Sequence, residues 1–353
     1  MKTVKVGMSN MKSSAGGLDT LEKKILFNLK EEFNFEYTDN PDYLFVGDQN
    51  IDFDYLNKNC VLIFYTNENM HPNFELYDYC IGYNKELSFG DRYCFYLPVF
   101  FSIQDFLPKN LKITKLSREE AHRILKEKDL FCDFIYNHDN DNFTRKHYLD
   151  LLNSYKSVSV GGRLYNPSRS SKKRNYDYVD KMSLQKRCKF SIVVESCEFS
   201  GGLITEKIFH SILSNTIPIY YGEKEISEYV NPRRFIDAKK YSDNELLQLI
   251  KKIDNDDELY LDYICQNALI DDEFFIKNQQ RLFNFLKNIF NQDPVKALRK
   301  PNNEFSTKWH KDKLIKSDIL YNAGIFKTTV YLLKLIFKKL KKLARKVLVN
   351  RNK

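Results

Sequence analysis

Apolar and polar positions alternate along this chain in two registers, one of period two and one of period 3.6. Residues 3–8 read as a short strand, a Ser/Gly turn fills 13–17, and apolar positions then recur at helical spacing over 18–33. The runs at 43–47 and 61–65 are of strand length, and each closes on polar turn residues. From 86 to 115 the chain is aromatic and less regular, and 117–128 follows as a charged helix or connector. A strand at 131–136, a helix over 142–155 and a strand at 158–162 make a βαβ unit, with Phe143, Leu149, Leu151 and Leu152 as the apolar positions of its helix. A strand at 190–194, a helix at 205–213 and a strand at 216–221 continue it. The expected fold is α/β, with two Rossmann-like doubly wound lobes and a cleft between them. The lobes are placed at 1–127 and 128–290, followed by a connector at 291–324 and a separate tail at 325–353.

Composition agrees with that division, since 353 residues suit two domains. A hydrophobic fraction of 42%, a charged fraction of 29% and a mean hydropathy of -0.52 exclude a disordered chain and several membrane spans. The net charge of +9 is not spread evenly: residues 321–353 hold ten Lys or Arg and no acid, so the body is nearly neutral. Nucleic acid is therefore not an expected partner, and a nucleic-acid-binding protein acting through the tail is the alternative from another class. In the tail, Leu332, Leu333, Ile336, Phe337, Leu340, Leu343 and Val347 share one helical face, with lysines on the other. Charge interrupts the apolar runs too often for a span, and a basic amphipathic helix is expected to lie on an anionic membrane surface. Residues 1–10 contain no apolar run of signal-peptide length, so the expected location is cytoplasmic, peripheral on the inner face of the cytoplasmic membrane. Seven scattered cysteines without a C-x-x-C pair predict reduced thiols, with neither a disulfide framework nor a zinc site.

The chemistry concentrates in 190–222, FSIVVESCEFSGGLITEKIFHSILSNTIPIYYG, which reads as strand, glycine loop, helix, strand. Helix starts offer unpaired N–H groups and the positive end of the dipole, a setting that binds a diphosphate without a metal. Thr205-Glu206-Lys207 opens this helix. A carboxylate such as Glu206 can accept from two adjacent ribose hydroxyls, and Lys207 supplies a point charge for phosphate oxygens. The bland reading of the pair is a favourable first-turn acid beside a solvated lysine. Arg163, after Gly161-Gly162 at a strand end, can fork onto two phosphate oxygens; its bland reading is an exposed basic loop. Asp52 and Asp54 form a D-x-D without further ligands, and the six histidines lack ligand spacing, so no metal is expected.

The run 190–235 resembles the donor-binding signature of α-1,3/α-1,4-fucosyltransferases of glycosyltransferase family ten. The features that match are Glu195, Thr205-Glu206-Lys207, Ile217-Pro218-Ile219, Gly222 and the close Asn231-Pro232 with Phe235-Ile236. In the first lobe FYTNENMHPNF at 64–74 and YDYCIGY at 77–83 are similar to bacterial members. The chain departs from the family at Ser196 and Leu203, where members carry Asn and an aromatic residue, and another nucleotide sugar is the alternative donor. The resemblance implies a GT-B fold, GDP-fucose as donor substrate, no required cofactor, and inversion at the anomeric carbon. It implies that Glu206 holds the ribose and that Lys207 and Arg163 hold the diphosphate, with Thr205 and Glu195 beside them at the donor site. It further implies an acceptor-binding first lobe whose base is Glu68, in the loop after the strand 61–65; Glu195 is the rival carboxylate. Asn69 and His71 are expected on the acceptor side. The implied reaction is α-1,3-fucosyl transfer to a glycan acceptor, the GlcNAc of a lactosamine-type unit, in surface glycan or lipopolysaccharide synthesis.

Overall fold

Strands that are apolar at every position need cover on both faces, and this chain supplies it twice. In the computed structural model the described residues are 1–11, 21–48, 54–66, 68, 70–97, 115–139, 143–165, 178–196, 203–271 and 273–300, with Trp309 and Lys313. The first lobe is a six-stranded parallel sheet of order β2-β1-β3-β4-β5-β6. Its strands are β1 (Lys2–Ser9), β2 (Phe33–Tyr37), β3 (Tyr43–Val46), β4 (Val61–Tyr65), β5 (Tyr79–Gly82) and β6 (Tyr93–Phe95). Ile63 and Tyr65 of β4 pack with Val6 and Phe45 on one face, while Leu62 and Phe64 pack with Leu44 and Tyr77 on the other.

The second lobe is a five-stranded parallel sheet of order β11-β10-β9-β7-β8. It contains β7 (Leu130–Tyr136), β8 (Val158–Gly162), β9 (Cys188–Val194), β10 (Ile217–Tyr221) and β11 (Ile236–Asp237). The helices are α1 (Arg118–Lys126), α2 (Thr144–Asn153), α3 (Tyr178–Arg187), α4 (Glu206–Leu213), α5 (Asp243–Asp254), α6 (Asp257–Ile264) and α7 (Phe274–Phe290). Local chemistry starts several of them: Ser117 with Glu120 and Ser242 with Glu245 form capping boxes ahead of α1 and α5.

Three expectations need correction. The helical pattern over 18–33 yields only short turns at Leu21–Ile25 and Phe27–Leu29, after which Phe33–Tyr37 forms β2. Phe33-Asn34-Phe35-Glu36-Tyr37 alternates with period two, and on an edge strand that register wins. Phe143 is not a buried helical position: it precedes α2 at φ 53° and is 66% exposed. The lobe boundaries also shift. Ala121 of α1 lies in the second core, although 1–127 was assigned to the first lobe. Conversely, Leu282, Leu286, Ile289 and Phe290 of α7 fill the first core, although 128–290 was assigned to the second. The stripe on α7 is as apolar as the sheet it covers, and Lys2 Nζ fixes its end by donating to Phe290 O at 2.6 Å. The lobes also meet where Tyr83 and Leu97 join a cluster with Tyr229 and Val230, beside Lys85 ion pairs to Glu225 at 2.5 Å and Glu228 at 2.8 Å.

Candidate active site

The carboxyl end of β9 runs directly into Glu195, whose N–H continues the ladder by donating to Tyr221 O at 2.9 Å. The Glu195 side chain is fully buried. Its Oε1 accepts from Thr205 N at 3.0 Å, and its Oε2 accepts from Thr205 Oγ1 at 2.7 Å and Lys207 Nζ at 3.1 Å. Thr205 caps α4: its Oγ1 accepts from Lys207 N at 3.5 Å and from Lys207 Nζ at 2.9 Å. Burial alone would push the Lys207 ammonium towards neutrality, but Glu195 and Glu206 hold it firmly charged. Gly222 makes room for this knot, since a Cβ there would stand 2.5 Å from Tyr220 Oη and 2.6 Å from Glu195 Cγ. Glu195 was expected among the donor contacts and as the rival base. Both of its oxygens accept from Thr205 or Lys207 at the start of α4.

Glu206 occupies the first turn of α4. Burial opposes its ionisation, yet Lys207 and Lys181 outweigh burial and hold its carboxyl at about 2, so it is a carboxylate at any ordinary pH. Lys181 reaches up from α3 with Nζ 3.0 Å from His210 Nδ1. Burial and the two lysines drive His210 down to about 3, so it stays neutral. At the same end of the sheet, Tyr136 Oη donates to Ile192 O and accepts from Val194 N, and the Arg145 guanidinium lies 4.4 Å above its ring. The helix start therefore presents one anion and one cation, backed by the half-buried Lys181. An ammonium has three N–H bonds, and among the described residues Lys207 directs two of them to Glu195 and Thr205.

From the first lobe, Glu68 enters the same neighbourhood. It lies just beyond β4, its N–H donating to Thr66 Oγ1 at 3.0 Å and its carbonyl accepting from Met70 N at 2.7 Å. Thr66 Oγ1 also donates to Asp48. Partial burial and the adjacent Asp48 raise the proton affinity of Glu68; Lys207 lowers it and Glu206 raises it. Groups 138 and 139 residues away in sequence thus act on one carboxyl across the cleft.

The other expected residues are placed less centrally. Arg163 sits on the exposed turn after β8, its N–H donating to Tyr136 O at 3.0 Å and Asn137 Oδ1 at 3.2 Å. Two strand spacings separate the ends of β8 and β9, roughly 10 Å, so Arg163 lies beside the Glu195 knot rather than in it. Gly162 before it has φ +76°, and a Cβ there would stand 2.3 Å from Tyr136 O, which explains the glycine. His71 is exposed near Glu68, whereas Asn69, Gly201, Gly202 and the tail 325–353 lie outside the described residues. Asp52 of the D-x-D also lies outside them. Among the described residues no three His, Cys, Asp or Glu gather as a metal would need, and no helix is long and apolar enough to cross a membrane. The six described cysteines are buried free thiols. Lys181, His210, Arg145 and Tyr136 were missed from the sequence. Each reads there as an ordinary helix or strand residue, and only burial beside the α4 start gives them meaning.

Comparison with known proteins agrees with this geometry. Residues 125–283 match the model of the "Glycosyltransferase family 10 (fucosyltransferase) C-term" domain, and residues 11–102 match that of the "Alpha-(1,3)-fucosyltransferase FucT N-terminal domain". An alpha-(1,3)-fucosyltransferase FucT of Helicobacter pylori is 28% identical over 269 residues, covering 67% of this chain and 54% of that protein. A putative fucosyltransferase of Acanthamoeba polyphaga mimivirus is 28% identical over 234 residues, 64% of this chain and 37% of its own length. The chain thus spans about half, or less, of these relatives. A crystal structure of an alpha1,3-fucosyltransferase superposes with a TM-score of 0.65 at 24% identity, covering 83% of this chain and 91% of that one. The same fold is seen in an alpha1,3-fucosyltransferase crystallised with GDP-fucose, with a TM-score of 0.63 and 86% and 94% coverage. Two parallel sheets of this order, joined by a helix that returns to the first, are the GT-B architecture. With both domain models matched in order and the motif residues gathered at one helix start, the chain belongs to glycosyltransferase family 10.

Proposed function

We propose that the protein is an inverting fucosyltransferase that moves fucose from GDP-fucose onto a hydroxyl of a glycan acceptor. The finer reading is α-1,3 transfer to the GlcNAc of a lactosamine-type unit in surface glycan or lipopolysaccharide synthesis. One observation carries the proposal: Thr205, Glu206 and Lys207 gather at the start of α4 beyond β9, Lys207 tied to Glu195 at 3.1 Å, and their charges reach Glu68 in the loop after β4. The chain's similarity to an alpha-(1,3)-fucosyltransferase FucT and to an alpha1,3-fucosyltransferase crystallised with GDP-fucose supports it.

In this reading Glu206 accepts the ribose hydroxyls, while Lys207 and the first N–H groups of α4 receive the diphosphate. Arg163, on the turn after β8, is read as the contact for an outer phosphate oxygen. As the acceptor oxygen attacks the anomeric carbon, its proton passes to Glu68, the carbon–phosphate oxygen bond breaks on the opposite face, and the charge left on GDP is met by Lys207. A base raised by burial and by Asp48 suits this step, because it must be ionised yet able to hold a proton. His71, exposed near Glu68 in the chain, is read as an acceptor-side residue.

Glu68→Gln tests the assignment. Transfer should fall by about 10²–10⁴-fold while GDP-fucose binds as in the wild type by calorimetry. Wild-type turnover in that variant would refute it, and a larger thermal shift with GDP-mannose or a UDP-sugar than with GDP-fucose would reassign the donor. We also propose that residues 325–353 hold the enzyme on the inner face of the cytoplasmic membrane through anionic headgroups, supported by the ten cations of 321–353. Their removal should abolish sedimentation with anionic vesicles and preserve activity on soluble acceptors; unchanged sedimentation would reject the proposal.

A further inference from the structure

Asp48 follows β3 as Glu68 follows β4, and these two strands are paired parallel neighbours. The two carboxylates therefore stand at the same end of adjacent strands, with Thr66 between them. The Thr66 side chain is buried, its Oγ1 donates to Asp48 Oδ2, and the same oxygen accepts from Glu68 N at 3.0 Å. A hydroxyl has a single proton. While the Asp48 carboxylate takes it, the lone pairs of Thr66 face the Glu68 N–H and close the short turn that carries the base. The competing acceptor for that proton is Glu68 O, 3.2 Å away, so Asp48 decides how the hydroxyl is oriented. Among the described residues, the charged groups acting on Glu68 are Asp48, just after β3, and Glu206 and Lys207 from α4. Without Asp48, one anion and one cation would oppose each other there.

We propose that Asp48 is a positioning residue for the transfer: through Thr66 Oγ1 it fixes the turn that presents Glu68 to the acceptor hydroxyl, and its charge opposes that of Lys207 at the Glu68 carboxyl. This inference rests on Glu68 being the base. Asp48 touches no substrate and exchanges no proton with one; the acceptor proton passes to Glu68 alone.

The test is the pH dependence of kcat for the full chain with GDP-fucose and an acceptor glycan, together with GDP affinity by calorimetry. Asp48→Asn retains an oxygen for Thr66 and removes only the charge. It should lower kcat by about tenfold and move the acid limb to lower pH by about one unit, with GDP affinity unchanged. Thr66→Val keeps the charge and removes the bridge, so kcat should fall while the acid limb stays at its wild-type position. Asp48→Ala should combine both losses. An unmoved acid limb in Asp48→Asn, or a loss of GDP affinity equal to the loss of kcat, would overturn the proposal. The two readings fail separately. Activity in Glu68→Gln removes the base and Asp48's role with it, whereas an inactive Glu68→Gln beside a wild-type Asp48→Asn removes only the role of Asp48.

Discussion

Replacing Glu195 by Gln is the sharpest test of the claim that this acid builds the site without entering the chemistry. The carboxylate accepts three bonds, at 3.0, 2.7 and 3.1 Å, and every donor belongs to Thr205 or Lys207. An amide has one oxygen, so its NH2 must face at least one of these donors, and the ion pair with Lys207 disappears. Breaking a buried pair by removing one partner costs about 3–5 kcal/mol. Lys207 keeps 22% of its side-chain surface and can recover some hydration, which lowers the expected cost to about 2–4 kcal/mol. Losing one or two charge-assisted bonds at about 1.5–3 kcal/mol each leads to a similar range. For a domain of this size the melting temperature should drop by about 5–15 °C, read by calorimetry. GDP affinity should fall in parallel, because the same bonds hold the helix start that receives the diphosphate. A melting temperature within a degree of wild type with unchanged GDP affinity would refute the argument. A loss of kcat alone, with stability and GDP binding intact, would restore Glu195 as a reacting group.

Two further outcomes follow from the same neighbourhood. Gly222→Ala would place a methyl 2.5 Å from Tyr220 Oη and 2.6 Å from Glu195 Cγ, and overpacking of this kind costs about 1–3 kcal/mol; an unchanged urea midpoint would contradict it. His210, held at about 3 against an ordinary 6.5, refuses a proton that the unfolded chain accepts. Stability should therefore decline as pH falls below about 6.5 and keep declining towards about 3, with a slope of up to about 1.4 kcal/mol per unit. Glu206, at about 2 against 4.5, is ionised in both states above pH 5; the stability it adds is lost as pH falls from about 4.5 through about 2. Urea unfolding of His210→Gln between pH 7.5 and 5 should show a flatter dependence than wild type. Equal slopes would show that another group carries the effect.

What the sequence by itself determined was local. The apolar runs at β3, β4, β7 and β9 appear at or near their expected positions, because a strand covered on both faces is mostly apolar. Thr205 could be read as the head of a helix because an N-cap hydroxyl acts on the N–H groups immediately after it. Tertiary structure decided what those residues meet. Sheet order set Glu68 and Asp48 just beyond neighbouring strand ends, and the return of α7 to the first core took residues that continuous reading placed in the second lobe. It also separated two acids that look alike in the chain: Glu195 is folded under α4 with both oxygens engaged, whereas Glu68 faces α4 from the opposite sheet. Period and capping act over a few residues, while burial and the field at a carboxyl are set by groups distant in sequence. No local pattern encodes which of them arrive.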